Sequence, residues 1–176
     1  MPTRAEILDS LAASQTQVLA FFHELSPEDL ERPATASGVP GAAPWRAKDH
    51  FAHLAQNERN LQHVLRRIYA GETEMQDHLD ALTPQEEEQL TIAVASFNQT
   101  IVNAHHNDTL EMISADFLAA RQETVDLLQE FTDDQLAAPM PPQPSGDRFA
   151  GDLLASHARH AAEHMTWIEE GWHQGV

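Results

Sequence analysis

"ELSPEDLERP" (residues 24–33) and "EFTDDQLAAP" (residues 130–139) share a glutamate, an apolar residue, a hydroxyl residue, acids, a leucine and a proline in register. Each closes a long amphipathic stretch and precedes a loop, and beyond each loop lies a second long stretch rich in histidine. Ser26 and Thr132 carry the hydroxyl that caps a helix, and Pro27 suits a first helical position. Two such helix pairs predict an all-α chain: a four-helix bundle with approximate internal two-fold symmetry plus short extra helices. The alternative is a device that recurs at helix ends without duplication.

The remaining helices are read outward from these two segments. Thr3-Arg4-Ala5-Glu6 has the form of a capping box, and Ile7, Leu11, Val18, Phe22 and Leu25 follow at helical spacing. A first helix therefore runs to about Leu25, with an irregular loop over 33–44. A second is expected from Arg46 to Ala70, ending at Gly71, with a stripe of Leu54, Leu61, Val64, Leu65 and Ile68. Residues 71–83 read as polar and loose. Thr83-Pro84 opens a helix through Ile92, Val94, Phe97 and Ile101. Asp108 or Thr109 caps another through Ile113, Phe117, Leu127 and Phe131. A proline-rich loop over 137–147 leads to a last helix from Phe149 to Trp172.

Composition bounds the function. The 176 residues, 41% of them hydrophobic, suit one folded domain over 1–176. Acidic residues outnumber Lys and Arg by 28 to 10, a formal net charge of −18 that repels phosphate backbones and anionic lipid. Nucleic acid and membranes are therefore not the expected partners. The absence of cysteine excludes a thiolate metal site, a disulfide framework and a cysteine nucleophile within these residues. The opening MPTRAEILDS lacks the apolar core of a signal peptide, and no apolar run has membrane-spanning length, so a soluble cytoplasmic protein is expected.

The last helix raises the chemical question. Its stripe runs Phe149, Leu153, His157, His160, His164, Trp167 and Ile168 in the three- and four-residue steps of a buried seam. His160 and His164 lie about 40° apart on adjacent turns, the placement that lets H-x-x-x-H converge on one ion. An unpartnered imidazole in an apolar seam costs roughly 2–7 kcal/mol, so a metal, a polar cavity or mutual hydrogen bonding must offset it. His53 begins the stripe His53, Asn57, Leu61, Val64, Ile68 on the second helix and is the candidate third ligand. Three histidines with open positions suit a catalytic metal site. The competing reading is that these histidines are solvated or structural. His50, His105, His106, His23, His63, His78 and His173 read as surface residues.

"WRAKDHFAHLAQNERNL" (45–61) resembles the W-x-x-K-D-x-x-A-H-L-x-x-x-E segment of the DinB/YfiT-like superfamily. "HAAEHMTWIEEGW" (160–172) and "FNQTIVNAHHNDTLEMI" (97–113) resemble segments of its ClbS/DfsB-like branch. The resemblance implies a bundle, often dimeric, whose three histidines hold a divalent metal; residue by residue these are His53, His160 and His164. It departs from the branch at Ala161, where an aromatic is usual, and at His157, where a small hydroxyl residue is usual; cavity lining is the role expected of His157. The activities implied are metal-dependent hydrolysis or thiol transfer on an electrophilic small molecule, in detoxification or stress protection, with zinc, nickel or iron as the ion. Glu163, and Glu58 behind it, are the carboxylates able to orient a ligand histidine or accept a proton; solvated helix carboxylates are the other reading. Trp45 is expected as a core anchor or a cavity wall. A non-catalytic protein that sequesters a small molecule in a histidine-lined cavity is the alternative, and a structural dimer tolerating the histidines is a third.

Overall fold

The computed structural model describes residues 2–70, 83–139 and 149–175, apart from the side chain of Ile68. The elements are α1 (Arg4–Glu24), α2 (Pro27–Glu31), β1 (Pro33–Thr35), β2 (Trp45–Arg46), α3 (Ala47–Tyr69), α4 (Pro84–Ala104), α5 (Leu110–Glu130), α6 (Asp133–Leu136) and α7 (Ala150–Gln174). The all-α expectation holds. Helices α1, α5, α3 and α7 pack in a closed ring, each against the next. The expected segments at 71–82 and 140–148, with His78, lie outside the described residues.

Hydroxyl caps set the starts of these helices. Thr3, Ser26, Thr83, Thr109 and Thr132 each accept a bond from a backbone N–H of the first turn, worth about 1 kcal/mol apiece. Of the two candidates before α5, Thr109 is the cap, while Asp108 accepts from His105 Nδ1 at 2.7 Å. The two related segments also lead into related structure. After α2, Pro33 pairs with Arg46 immediately before α3; after α6, Pro139 pairs with Phe149 immediately before α7. The recurring order is therefore long helix, capped short helix, paired strand residues, long helix.

Two apolar clusters fill the ring. Val18, Phe22, Phe51, Phe117 and Ile168 lie in one, with Phe22 stacked on Phe51 at 4.3 Å. Ile7, Leu11, Leu65, Leu127, Leu128 and Leu154 lie in the other. Along every ring helix, a buried polar group falls between the residues of the two clusters: Ser14, Glu58 and Gln62, Arg121 and Thr124, and His157. Arg121 Nε donates to Glu58 Oε1 at 2.6 Å, and its Nη1 donates to the Leu11 carbonyl at 2.6 Å. Thr124 donates to the other Glu58 oxygen at 2.7 Å, and Gln62 donates to Thr124. Glu58, expected near the site or in solvent, is thus 2% exposed and committed to Arg121.

Three expectations change. Helix α4 is not a short extra: it has 21 residues, as many as α1. It rides outside on α3, leaving Leu90, Ile92, Val94 and Phe97 exposed, because the four ring helices already close the core. In α7 the buried seam passes through His157, Ala161, His164 and Ile168, so His160 stands at its edge. In α3, Phe51, Leu54, Ala55, Glu58, Gln62 and Leu65 face inward, whereas Leu61 and Val64 are only partly buried.

Candidate metal centre

The start of α3 is stapled in place by its own sequence. Asp49, at the third helical position, accepts from the Arg46 backbone N–H at 2.8 Å and from the Arg46 guanidinium at 2.9 and 2.7 Å. Arg46 and Lys48 both pair with Glu31 of α2. This fixes Trp45, whose indole Nε1 donates to Gln99 Oε1 of α4 at 3.0 Å. Trp45 is both expected things at once: it is buried, and it walls a cavity of about 390 Å³.

His53 from α3 and His160 and His164 from α7 meet at that cavity. One ligand nitrogen from each can be chosen so that all three lie within 4.8 Å of one another. His164 Nε2 faces His160 Nε2 at 3.1 Å. Imidazole ligands sit about 2.0–2.1 Å from zinc, which puts neighbouring ligand nitrogens roughly 3–3.5 Å apart. The His160–His164 pair already has that spacing, and His53 must draw closer to complete it. Among the described residues, His53 Nδ1 is buried without a hydrogen-bond partner, an orphan that ligation through Nδ1 would satisfy and ligation through Nε2 would leave as an unpaired N–H.

Burial keeps these rings neutral, the form that ligates. It pushes the His53 imidazolium down to about 3, and the nearby His160 and His50 add to the effect. Burial likewise lowers His160, against the opposing pull of Glu163, and lowers His164 further with help from the other histidines. The lining residues Thr35, Ala36, Gly38, Trp45, Ala95, Asn98 and Trp167 complete the wall without a charged side chain.

Other expectations fall elsewhere. Glu163 is half exposed on the far side of His160, its Oε2 3.9 Å from His160 Nδ1, and it lines a separate cleft with Asn57 and Ser156. His157 does not line the cavity. It is 3% exposed in the polar layer, where Glu58 and Arg121 act on it, and among the described residues neither ring nitrogen has a partner. His50, read as a surface residue, is 1% exposed and hydrogen-bonded to His164. The sequence carried a signal for it, since His50 lies three residues before His53 and so one turn away on the same side of α3. Thr35 and Trp167 were also missed; Trp167 presents its edge to His164 with ring centres 4.7 Å apart.

Fold and site together define a four-helix ring with a histidine cluster able to hold a metal ion. The family model of the DinB superfamily matches residues 1–65, the part that carries α1, α2 and most of α3 with His50 and His53. An uncharacterised protein from Escherichia coli UTI89 shares the fold: its crystal structure superposes with a TM-score of 0.64 at 14% identity, covering 98% of this chain and 94% of that one. No curated protein matches the chain. Among the described residues, no helix is long and apolar enough to cross a membrane.

Proposed function

We propose that this chain is a divalent-metal-dependent enzyme, a hydrolase or thiol transferase of the ClbS/DfsB-like branch, acting on an electrophilic small molecule in detoxification or stress protection. One observation carries the reading: three histidines with convergent nitrogens stand at the wall of a cavity to which no described residue brings a charged side chain. His53, His160 and His164 hold the ion, which is zinc, nickel or iron by the chemistry of imidazole donors. When bound, the ion supplies a polarised substrate oxygen or a water or thiol of lowered pKa. The chain's own groups do the rest. Trp45 and Trp167 flank a flat, uncharged substrate and keep water from its apolar face. The Asn98 amide, on α4, offers a donor and an acceptor to orient it. Glu163 stands behind His160, where it steadies that ring from the Nδ1 side rather than taking a proton in the cavity. The homodimer implied by the resemblance belongs to the same proposal, and sedimentation measures it.

A screen of the metal-free chain, reloaded separately with zinc, nickel and iron, tests this against hydrolysis of activated esters and amides and against thiol addition to small electrophiles. Turnover that requires metal and is lost in His164→Ala is expected. A second reading, non-catalytic sequestration, is favoured by the hydrogen bonds that link His164 to His50 and His160. It predicts undiminished ligand binding after metal removal and no turnover.

A further inference from the structure

We infer that His50 and Thr35 are positioning residues for the metal centre, forming a strut that fixes the orientation of His164 and couples its tautomer to that of His50. The inference rests on the metal reading above. His50 Nδ1 lies 2.7 Å from His164 Nδ1, and His50 Nε2 lies 2.9 Å from Thr35 Oγ1. Every link in this chain needs one donor and one acceptor, and a neutral imidazole has one of each. The direction of one link therefore sets the others.

Two settings satisfy the chain. If His164 Nε2 donates to His160, its Nδ1 must accept from His50 Nδ1, and His50 Nε2 must accept from the Thr35 hydroxyl. In the other setting His164 Nδ1 donates to His50 Nδ1, His50 Nε2 donates to Thr35 Oγ1, and the lone pair of His164 Nε2 is free. Only the second allows ligation through Nε2, the nitrogen that faces His160 Nε2. The threonine hydroxyl rotates and serves both settings, so the strut holds the ring in place before and after an ion binds. His50 is itself pinned by the edge of Trp45, ring centres 5.3 Å apart. Thr35 is anchored because β1 pairs with β2 and lies against α7, where Gly171 leaves room for the Ala34 carbonyl. Histidine ligands are commonly oriented by a carboxylate or a carbonyl; here a neutral imidazole does it, so the centre stays free of added negative charge.

Zinc affinity of the tag-free chain, measured by competition with a chromophoric chelator, tests the strut. Thr35→Val keeps the shape and removes the hydroxyl, and His50→Phe removes the ring nitrogens. Each is expected to weaken zinc binding by roughly 10–100-fold, while Thr35→Ser restores it. Thr35→Val carries the test if His50→Phe does not fold. In the zinc-bound wild type, nitrogen–proton correlation spectra are expected to place the His164 proton on Nδ1 and the His50 proton on Nε2. Unchanged zinc affinity in both Thr35→Val and His50→Phe, or a His164 proton on Nε2 with zinc bound, would overturn this inference alone. A wild type that binds none of zinc, nickel and iron would overturn the metal reading and this inference with it.

Discussion

Among the described residues, both ring nitrogens of His157 are buried without a partner, beside the Glu58–Arg121 pair. Burial pushes its imidazolium down to about 4, Glu58 pulling the other way. The unfolded chain takes up this proton near 6.5, the folded chain only near 4. Stability must therefore fall as pH drops through that window, and it is intact above it. His157→Leu removes the orphaned nitrogens and the proton. It is expected to be more stable by about 1–3 kcal/mol near neutral pH and to lose less stability on acidification, as urea unfolding at several pH values would show. A less stable variant with an unchanged acid limb would mean that His157 makes a bond the structure does not show. The three clustered histidines were legible in sequence because α7 carries two of them at a clear helical period and His53 heads a stripe of α3. His50 was not, because its burial comes from β1 and from His164, groups brought to it by segments distant along the chain.

At the scale of elements, sequence spacing located the long helices but set two faces slightly wrong. The α7 seam was drawn through His160 and Trp167, whereas Ala161 takes the inward place and Trp167 is 42% exposed. That small rotation puts His160 at the boundary between core and cavity, where a ligand facing open positions belongs. Helix α4 had an apolar stripe and a capping box, both real signals of a helix. Neither says which neighbour a helix will meet, and α4 packs on α3 outside the ring. The contact between α7 and β1 makes its own prediction. A Cβ at residue 171 would stand 1.6 Å from the Ala34 carbonyl oxygen, so Gly171→Ala must push backbone from backbone. It is expected to destabilise the fold by at least about 1–3 kcal/mol and to weaken metal binding through displaced Thr35, measured by thermal unfolding and chelator competition. A silent variant would contradict the anchoring of β1.

For the whole molecule, the bundle is two apolar clusters divided by a polar layer to which every ring helix contributes. Sequence patterning sees apolar periodicity, so Glu58 read as solvated and Arg121 drew no reading; their hydrogen bonds to each other, to Thr124 and to the Leu11 carbonyl make burial tolerable. Arg121→Met leaves Glu58 charged, buried and short of partners, and is expected to cost about 3–5 kcal/mol in chemical unfolding. A Glu58→Leu, Arg121→Met double variant should recover much of that loss. The layer brings the two histidine-bearing helices into fixed register, which places His53 opposite His160 and His164. The most direct test of the central claim is elemental analysis of the chain purified without a histidine tag, beside His160→Ala. About one equivalent of zinc, nickel or iron in the wild type, lost in the variant, is the predicted result. No metal in either, or the same metal content in both, would contradict it.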